Sequence, residues 1–175
     1  MKIAIVYKTI SGFTEQYAKW IAEATGGDLY RLGSVAVRKL KEYDVLIFGG
    51  SLHMTGIAGT GFVRKNLKLF EGKKIIVFAV GASPFKETII DQLRNHNFAA
   101  IAKNRISLFY FRGGFDFSRL DIPNKIIGTL FKWMAKRKKQ LSANEKGMLS
   151  AFEHPVDFTN KENIKPLLEC ITGTV

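Results

Sequence analysis

Residues Thr9, Ile10, Ser11, Gly12, Phe13 and Thr14 put three hydroxyls and a glycine into six positions. An apolar, β-branched run stands before them and a run with helical spacing follows. A helix start presents unpaired N–H groups and a partial positive charge, which together attract phosphate. Gly12 lets the backbone close around an anion, while Thr9, Ser11 and Thr14 add hydroxyl donors. Such a loop can hold a phosphate monoester without a lysine. It is neither the nucleotide P-loop GxxxxGKS/T nor the dinucleotide pattern GxGxxG. The competing reading is an ordinary helix cap, where Ser and Thr are favoured for stability alone.

The elements that must position this loop follow from periodicity. Lys2–Tyr7 reads as a first strand and Thr14–Thr25 as a helix, with Tyr17, Ala18, Ile21 and Ala22 on one stripe. Asp28–Leu32 reads as a second strand and Val35–Lys41 as a short helix or turn. Val45–Gly50 is the third strand, Thr60–Phe70 a helix, Lys74–Val80 the fourth strand, Lys86–Asn95 a helix and Ile106–Phe111 the fifth strand. The last helix is expected over Lys161–Ile171. Strands that are continuous apolar runs, separated by helices, imply a parallel sheet covered on both faces. No repeat, linker or domain boundary breaks the chain, so residues 1–175 are expected to form one α/β domain.

One stretch interrupts the alternation. Residues 113–150 are too long for a βα connection and carry a helical pattern over Pro123–Lys139. Ile126, Ile127, Leu130, Phe131 and Met134 make an apolar stripe, and the other side is basic. The whole chain has 27 basic and 15 acidic residues, a net charge of +12. Residues 101–150 hold eleven basic against three acidic residues, a surplus of eight. That charge implies an anionic partner surface and says nothing about fold. The sequence leaves three roles open for the insert: packing on its own domain, contact with an anionic membrane through Lys132, Trp133, Lys136, Arg137, Lys138 and Lys139, or contact with a substrate or protein partner.

Other classes find little support. No apolar run approaches the roughly 20 residues that span a bilayer, and the first residues do not read as a signal peptide. A single cysteine, Cys170, excludes an internal disulfide and a cysteine metal cluster; it is expected in the core of the last helix. These features fit a cytoplasmic protein, peripheral on the inner face of the membrane if the insert docks there. No metal site is expected, structural roles are expected for His96 and His154, and no nucleic-acid motif accompanies the basic charge.

The pattern S/T-x-S/T-G-x-T after the first strand resembles the phosphate loop of the flavodoxin-like family. Two further loops fall at the next strand ends: GGSLHMTGIAG, residues 49–59, and VGASPF, residues 80–85. The resemblance implies a flavodoxin-like three-layer sandwich with a five-stranded parallel sheet, order 2-1-3-4-5, and a basic helical insert after strand five. It implies FMN as cofactor, with residues 9–14 on the phosphate. Backbone groups of Ser51, Leu52, His53, Met54, Thr55 and Gly56 would line one side of the flavin ring. Gly81, Ala82, Ser83, Pro84 and Phe85 would line the other. Neither later loop holds the Trp or Tyr that flavodoxins usually stack on the ring, so Met54, His53 and Phe85 are the nearest candidates. For His53 a surface role, a ring contact and proton donation remain open. Gly113 and Gly114 either let the backbone approach the flavin or start the loop. Cations near the ring would ease its full reduction.

The layout of RGGFDFSRLDIPNKIIGTLFKWMAKRKKQ followed by PVDFTNKENIKPLLECI is similar to the menaquinone-dependent protoporphyrinogen dehydrogenase family. That resemblance implies an oxidoreductase passing electrons from a protoporphyrinogen-like substrate to a quinone at the membrane. A flavodoxin-type electron carrier with a basic docking face, and a cofactor-free basic interaction module, are the alternatives.

Overall fold

The computed structural model describes residues 1–53, 55–98, 105–120, 122–137, 140, 146–147, 149–150, 152 and 154–173. The side chains of Pro123, Ile127, Phe131 and Lys136 lie outside that description.

Period-2 alternation builds the core. The strands are β1 (Ile3–Lys8), β2 (Asp28–Arg31), β3 (Val45–His53), the short β4 (Gly56–Ile57), β5 (Lys74–Gly81) and β6 (Ile106–Arg112). Five of them run parallel in the order β2-β1-β3-β5-β6, and β4 folds back antiparallel on β3. This is the order expected for strands one to five. Along β5, Ile75, Val77 and Ala79 face one core cluster while Ile76, Phe78 and Val80 face the other. Both faces are therefore apolar, and each needs a helical cover.

On one face, α2 (Thr60–Asn66), α3 (Ile89–Phe98) and a 3-10 turn at Val37–Glu42 bring in Val63, Leu93, Phe98 and Leu40. On the other, α1 (Phe13–Thr25) and the C-terminal helix (Lys165–Thr172) supply Tyr17, Ala18, Ile21, Leu167 and Ile171. The fully buried Tyr17 also ties distant segments together. Its hydroxyl donates to Arg112 O at 2.7 Å and accepts from Asn160 N and Asn163 Nδ2. Cys170 is half-buried against this second cluster, with a free thiol.

Several boundaries differ from the periodic reading. The third strand continues three residues past Gly50, because Leu52 and His53 pair with Ile57 and Gly56 in a hairpin. Helix α2 stops at Asn66, whose side-chain amide donates to Phe62 O and competes with the helix backbone. Helix α3 lies three residues later than expected, which places Leu93, Asn97 and Phe98 on its buried face. The last helix is split: Asn160 caps a 3-10 turn over Lys161–Ile164, and Pro166 then sits in the first turn of the α-helix.

The insert is bracketed by its own two-stranded ribbon, β7 (Gly114–Phe115) with β8 (Val156–Asp157). Between them come a 3-10 turn, Phe117–Arg119, and helix α4, Ile122–Lys136. The excursion thus leaves and returns at one point, five or so residues later than the expected end at Ser150. Phe152 packs on Phe115 and Phe117 with ring centroids 5.1 and 5.0 Å away. A Cβ on Gly128 would meet those same rings, Phe117 at 3.0 Å and Phe152 at 3.1 Å. Among the described residues no helix is long and apolar enough to cross a membrane.

Candidate functional site

Parallel strands end together, so the loops after β1, β3, β5 and β6 converge at one edge of the sheet. Hydrogen bonds and close packing join them. Ile10 N donates to Ser51 Oγ at 3.0 Å, linking the first loop to the second. A Cβ on Gly81 would sit 3.1 Å from Leu52 Cδ2, linking the second to the third. Gly113 N donates to Gly81 O at 2.8 Å, linking the third to the start of the insert. The four loops are thus neighbours through these described residues.

The structure divides the labour within residues 9–14. Thr9 Oγ1 accepts from Gly12 N at 2.9 Å, so this hydroxyl shapes the loop. Thr14 is fully buried and shares a 2.8 Å hydrogen bond with Ser51 Oγ. The picture of three open donors is corrected: Thr14 is turned into the protein, and Ser11 is the one whose side chain makes no hydrogen bond among the described residues. Gly12 takes a left-handed φ of 89° and precedes a helix that no side chain caps. A Cβ there would find only Arg119 Nη1, at 4.0 Å. The loop therefore offers an uncapped helix start, open space and a cation. A phosphate ester fits such a cradle.

The second loop is a hairpin held from outside. Buried Asn97 on α3 accepts from Ile57 N at 2.8 Å and donates to Thr55 O and to Leu93 O, each at 2.8 Å. It braces the backbone on either side of Gly56. His53 is exposed at the hairpin's end, which suits the surface role or a ring contact. Met54 lies outside the described residues.

In the third loop Ala82, Ser83, Pro84 and Phe85 are exposed. Phe85 tilts over Tyr110, with centroids 6.4 Å apart. Tyr110 donates its hydroxyl to Ser83 O at 2.5 Å, and burial pushes its pKa up. This tyrosine reaches the loop from β6, and its place near the C-terminal end of the fifth strand was the only signal for it in the sequence. Arg112, two residues on, lays its guanidinium 3.7 Å from the ring of Phe158. Phe85, Tyr110, Arg112 and Phe158 line an open groove beside the loop.

Gly113 and Gly114 serve close packing. A Cβ on Gly113 would lie 2.6 Å from Val80 Cγ1, and one on Gly114 would lie 2.1 Å from Val156 O and 2.6 Å from Phe13 Cζ. Of the two roles open for them, the geometry favours starting the insert, seated on Phe13.

On α4 the described residues of the apolar stripe, Ile126, Leu130 and Met134, are exposed. Ile122, Ile126, Leu130, Trp133 and Met134 are between 51% and 75% exposed. For Ile126, Leu130 and Met134 the simple expectation of packing on their own domain is not met. Arg137 stacks 3.6 Å from the Trp133 ring, and Lys132 lies 6.0 Å from that of Phe152. Lys138 and Lys139, and the Lys136 side chain, lie outside the description. Among the described residues no cluster of acidic, histidine or cysteine side chains could hold a metal ion.

A family model described as flavodoxin domain matches residues 4–142. No curated protein matches the chain. Among solved structures, the Trp repressor binding protein of Bacillus subtilis is similar at 16% identity and a TM-score of 0.49, covering 64% of this chain and 83% of that one. A flavoprotein in complex with FMN from Lactobacillus acidophilus NCFM is similar at 12% identity and 0.45, covering 63% and 92%. Oxidised flavodoxin 2 from Bacillus cereus is similar at 22% identity and 0.41, covering 63% and 84%.

Proposed function

Since the chain belongs to the flavodoxin domain family, we propose that it binds FMN and works as a redox protein. The observation that carries this reading is the loop at residues 9–14: an uncapped helix start behind Gly12, where a Cβ would meet only the Arg119 guanidinium, at 4.0 Å. Ser11 and the first-turn amides of α1 would hold the phosphate. Thr9, Thr14 and Ser51 would keep the loop in shape. The hairpin braced by Asn97 and the loop carrying Phe85 would flank the ring, with Tyr110 supplying the tyrosine that neither loop contains. When bound, the flavin supplies hydride and single-electron chemistry; the chain supplies position and electrostatics.

The finer reading is an oxidoreductase that takes electrons from a reduced, protoporphyrinogen-like substrate and passes them to a quinone at an anionic membrane surface. Two features support it. The groove beside the third loop combines flat aromatic faces with the Arg112 guanidinium, which suits a flat, anionic molecule. Helix α4 shows an exposed apolar face beside Lys125, Lys132 and Arg137, which suits the boundary of an anionic bilayer. A cytoplasmic protein bound at the inner membrane face is the matching location. The second reading, an electron carrier with a basic docking face, draws on the same +12 charge.

The absorbance spectrum of untreated protein, with mass identification of any released chromophore, tests the cofactor. A yellow protein releasing FMN is expected; a colourless one that takes up no FMN leaves only a cofactor-free module. Turnover with protoporphyrinogen and a menaquinone analogue then separates enzyme from carrier.

A further inference from the structure

Arg119 stands over the loop at residues 9–14, yet it belongs to the insert, in the 3-10 turn that follows β7. Its Nη1 is the nearest atom a Cβ on Gly12 would meet. Its guanidinium also lies 5.7 Å from the Phe13 ring. On the opposite edge its Nε is paired with Asp116 Oδ2 at 3.0 Å. Asp116 is a fixed anchor: its carboxylate accepts from Ser118 N at 2.9 Å and from Ser118 Oγ at 2.6 Å. The Ser118 hydroxyl, ahead of the Arg119 charge, holds the Asp116 carboxyl below its ordinary range.

This pair differs from the other ion pairs among the described residues. Glu15 with Lys19, Glu23 with Lys161 and Glu162 with Lys165 all have carboxylates at least 34% exposed. The Asp116 side chain is 12% exposed while Arg119 is 59% exposed. A seated carboxylate thus holds one edge of a guanidinium whose other edge faces solvent above the loop. Arginine presents donors on both edges of a rigid fork, so one edge can stay on Asp116 while the other meets an anion. The ribbon β7–β8 fixes the arrangement, because Gly114 packs directly on Phe13.

We propose that Arg119 is a phosphate ligand, through which the insert adds a cation to a loop otherwise made of amides and hydroxyls. The inference rests on the FMN reading and names a residue within it. The insert then completes the cofactor site as well as presenting α4. It also makes binding depend on the phosphate, so FMN is selected over riboflavin by charge.

The test titrates flavin-free protein with FMN and with riboflavin, following flavin fluorescence at low and high salt. Wild type, Arg119→Ala and Arg119→Lys are compared. Arg119→Ala is expected to weaken FMN binding by roughly 10- to 100-fold, the loss typical of a hydrogen bond to a charged group. Riboflavin affinity should stay within about twofold, and the salt dependence of FMN binding should flatten. Arg119→Lys should fall between, keeping the charge and losing the fork. Since Arg119 is exposed, urea unfolding of each variant should match wild type. Equal losses for both flavins, or no loss for either, overturn the role of Arg119 while leaving the FMN reading of the wild-type protein standing. A wild-type protein that binds neither flavin overturns the FMN reading itself.

Discussion

The parallel sheet and helix α4 are written in the same apolar vocabulary and end in opposite environments. In β5 every residue from Ile75 to Gly81 is buried. In α4 the large residues Ile122, Ile126, Leu130, Trp133 and Met134 face outward, while Ala135 is buried and Gly128 packs on Phe117 and Phe152. Those five large residues are thus exposed at positions where a core helix would bury its apolar side chains. An apolar stripe reports which side of a helix wants to leave water. It does not report what covers it.

Breaking the sheet should have the largest effect. Phe78 is fully buried and packs on Phe111 at 5.4 Å. Phe78→Ala is expected to cost about 3–5 kcal/mol in urea unfolding, against well under about 1 kcal/mol for Leu130→Ala on α4. Equal costs would mean that α4 is packed as tightly as the sheet.

Asn97 lies between the extremes, since it is buried in the core yet serves the loop. Asn97→Ala leaves Ile57 N without its acceptor and Thr55 O without its donor. A loss of about 1–3 kcal/mol in stability is expected, together with weaker binding of both FMN and riboflavin. Riboflavin affinity that stays at the wild-type level would show that the hairpin does not need this brace to meet a ring.

The smallest effect on stability and the sharpest on partner choice should come from α4. A triple change, Ile126→Ser with Leu130→Ser and Met134→Ser, is expected to leave urea unfolding within about 1 kcal/mol of wild type. Sedimentation with anionic liposomes should fall by roughly tenfold or more, as the apolar area available to the bilayer is removed. Lys132→Gln with Arg137→Gln should weaken it less, and only at low salt. Lipid binding that survives both variants would end the membrane reading.

How much of this was legible beforehand depends on whether the signal is local. The five parallel strands could be read because each is a continuous apolar run, and the loop at residues 9–14 because its residues sit side by side. Asn97, Tyr110 and Arg119 could not be assigned to the site in that way. Asn97 and Tyr110 reach their loop partners across 40 and 27 residues of chain, and Arg119 reaches Gly12 from the insert. Apart from the place of Tyr110 near a strand end, nothing close to any of the three in sequence marks the contact.

Sequence by itself determined the α/β alternation, the position of the hydroxyl- and glycine-bearing loop at residues 9–14 and the basic charge of the insert, since each depends only on neighbouring residue types. Tertiary structure decided the rest. It turned Thr14 inward onto Ser51, set Arg119 over Gly12, paired Leu52 and His53 with Ile57 and Gly56 in a braced hairpin and left Ile126, Leu130 and Met134 exposed. These outcomes depend on which surfaces the closed sheet brings within reach of one another, and that is fixed only once the chain has packed.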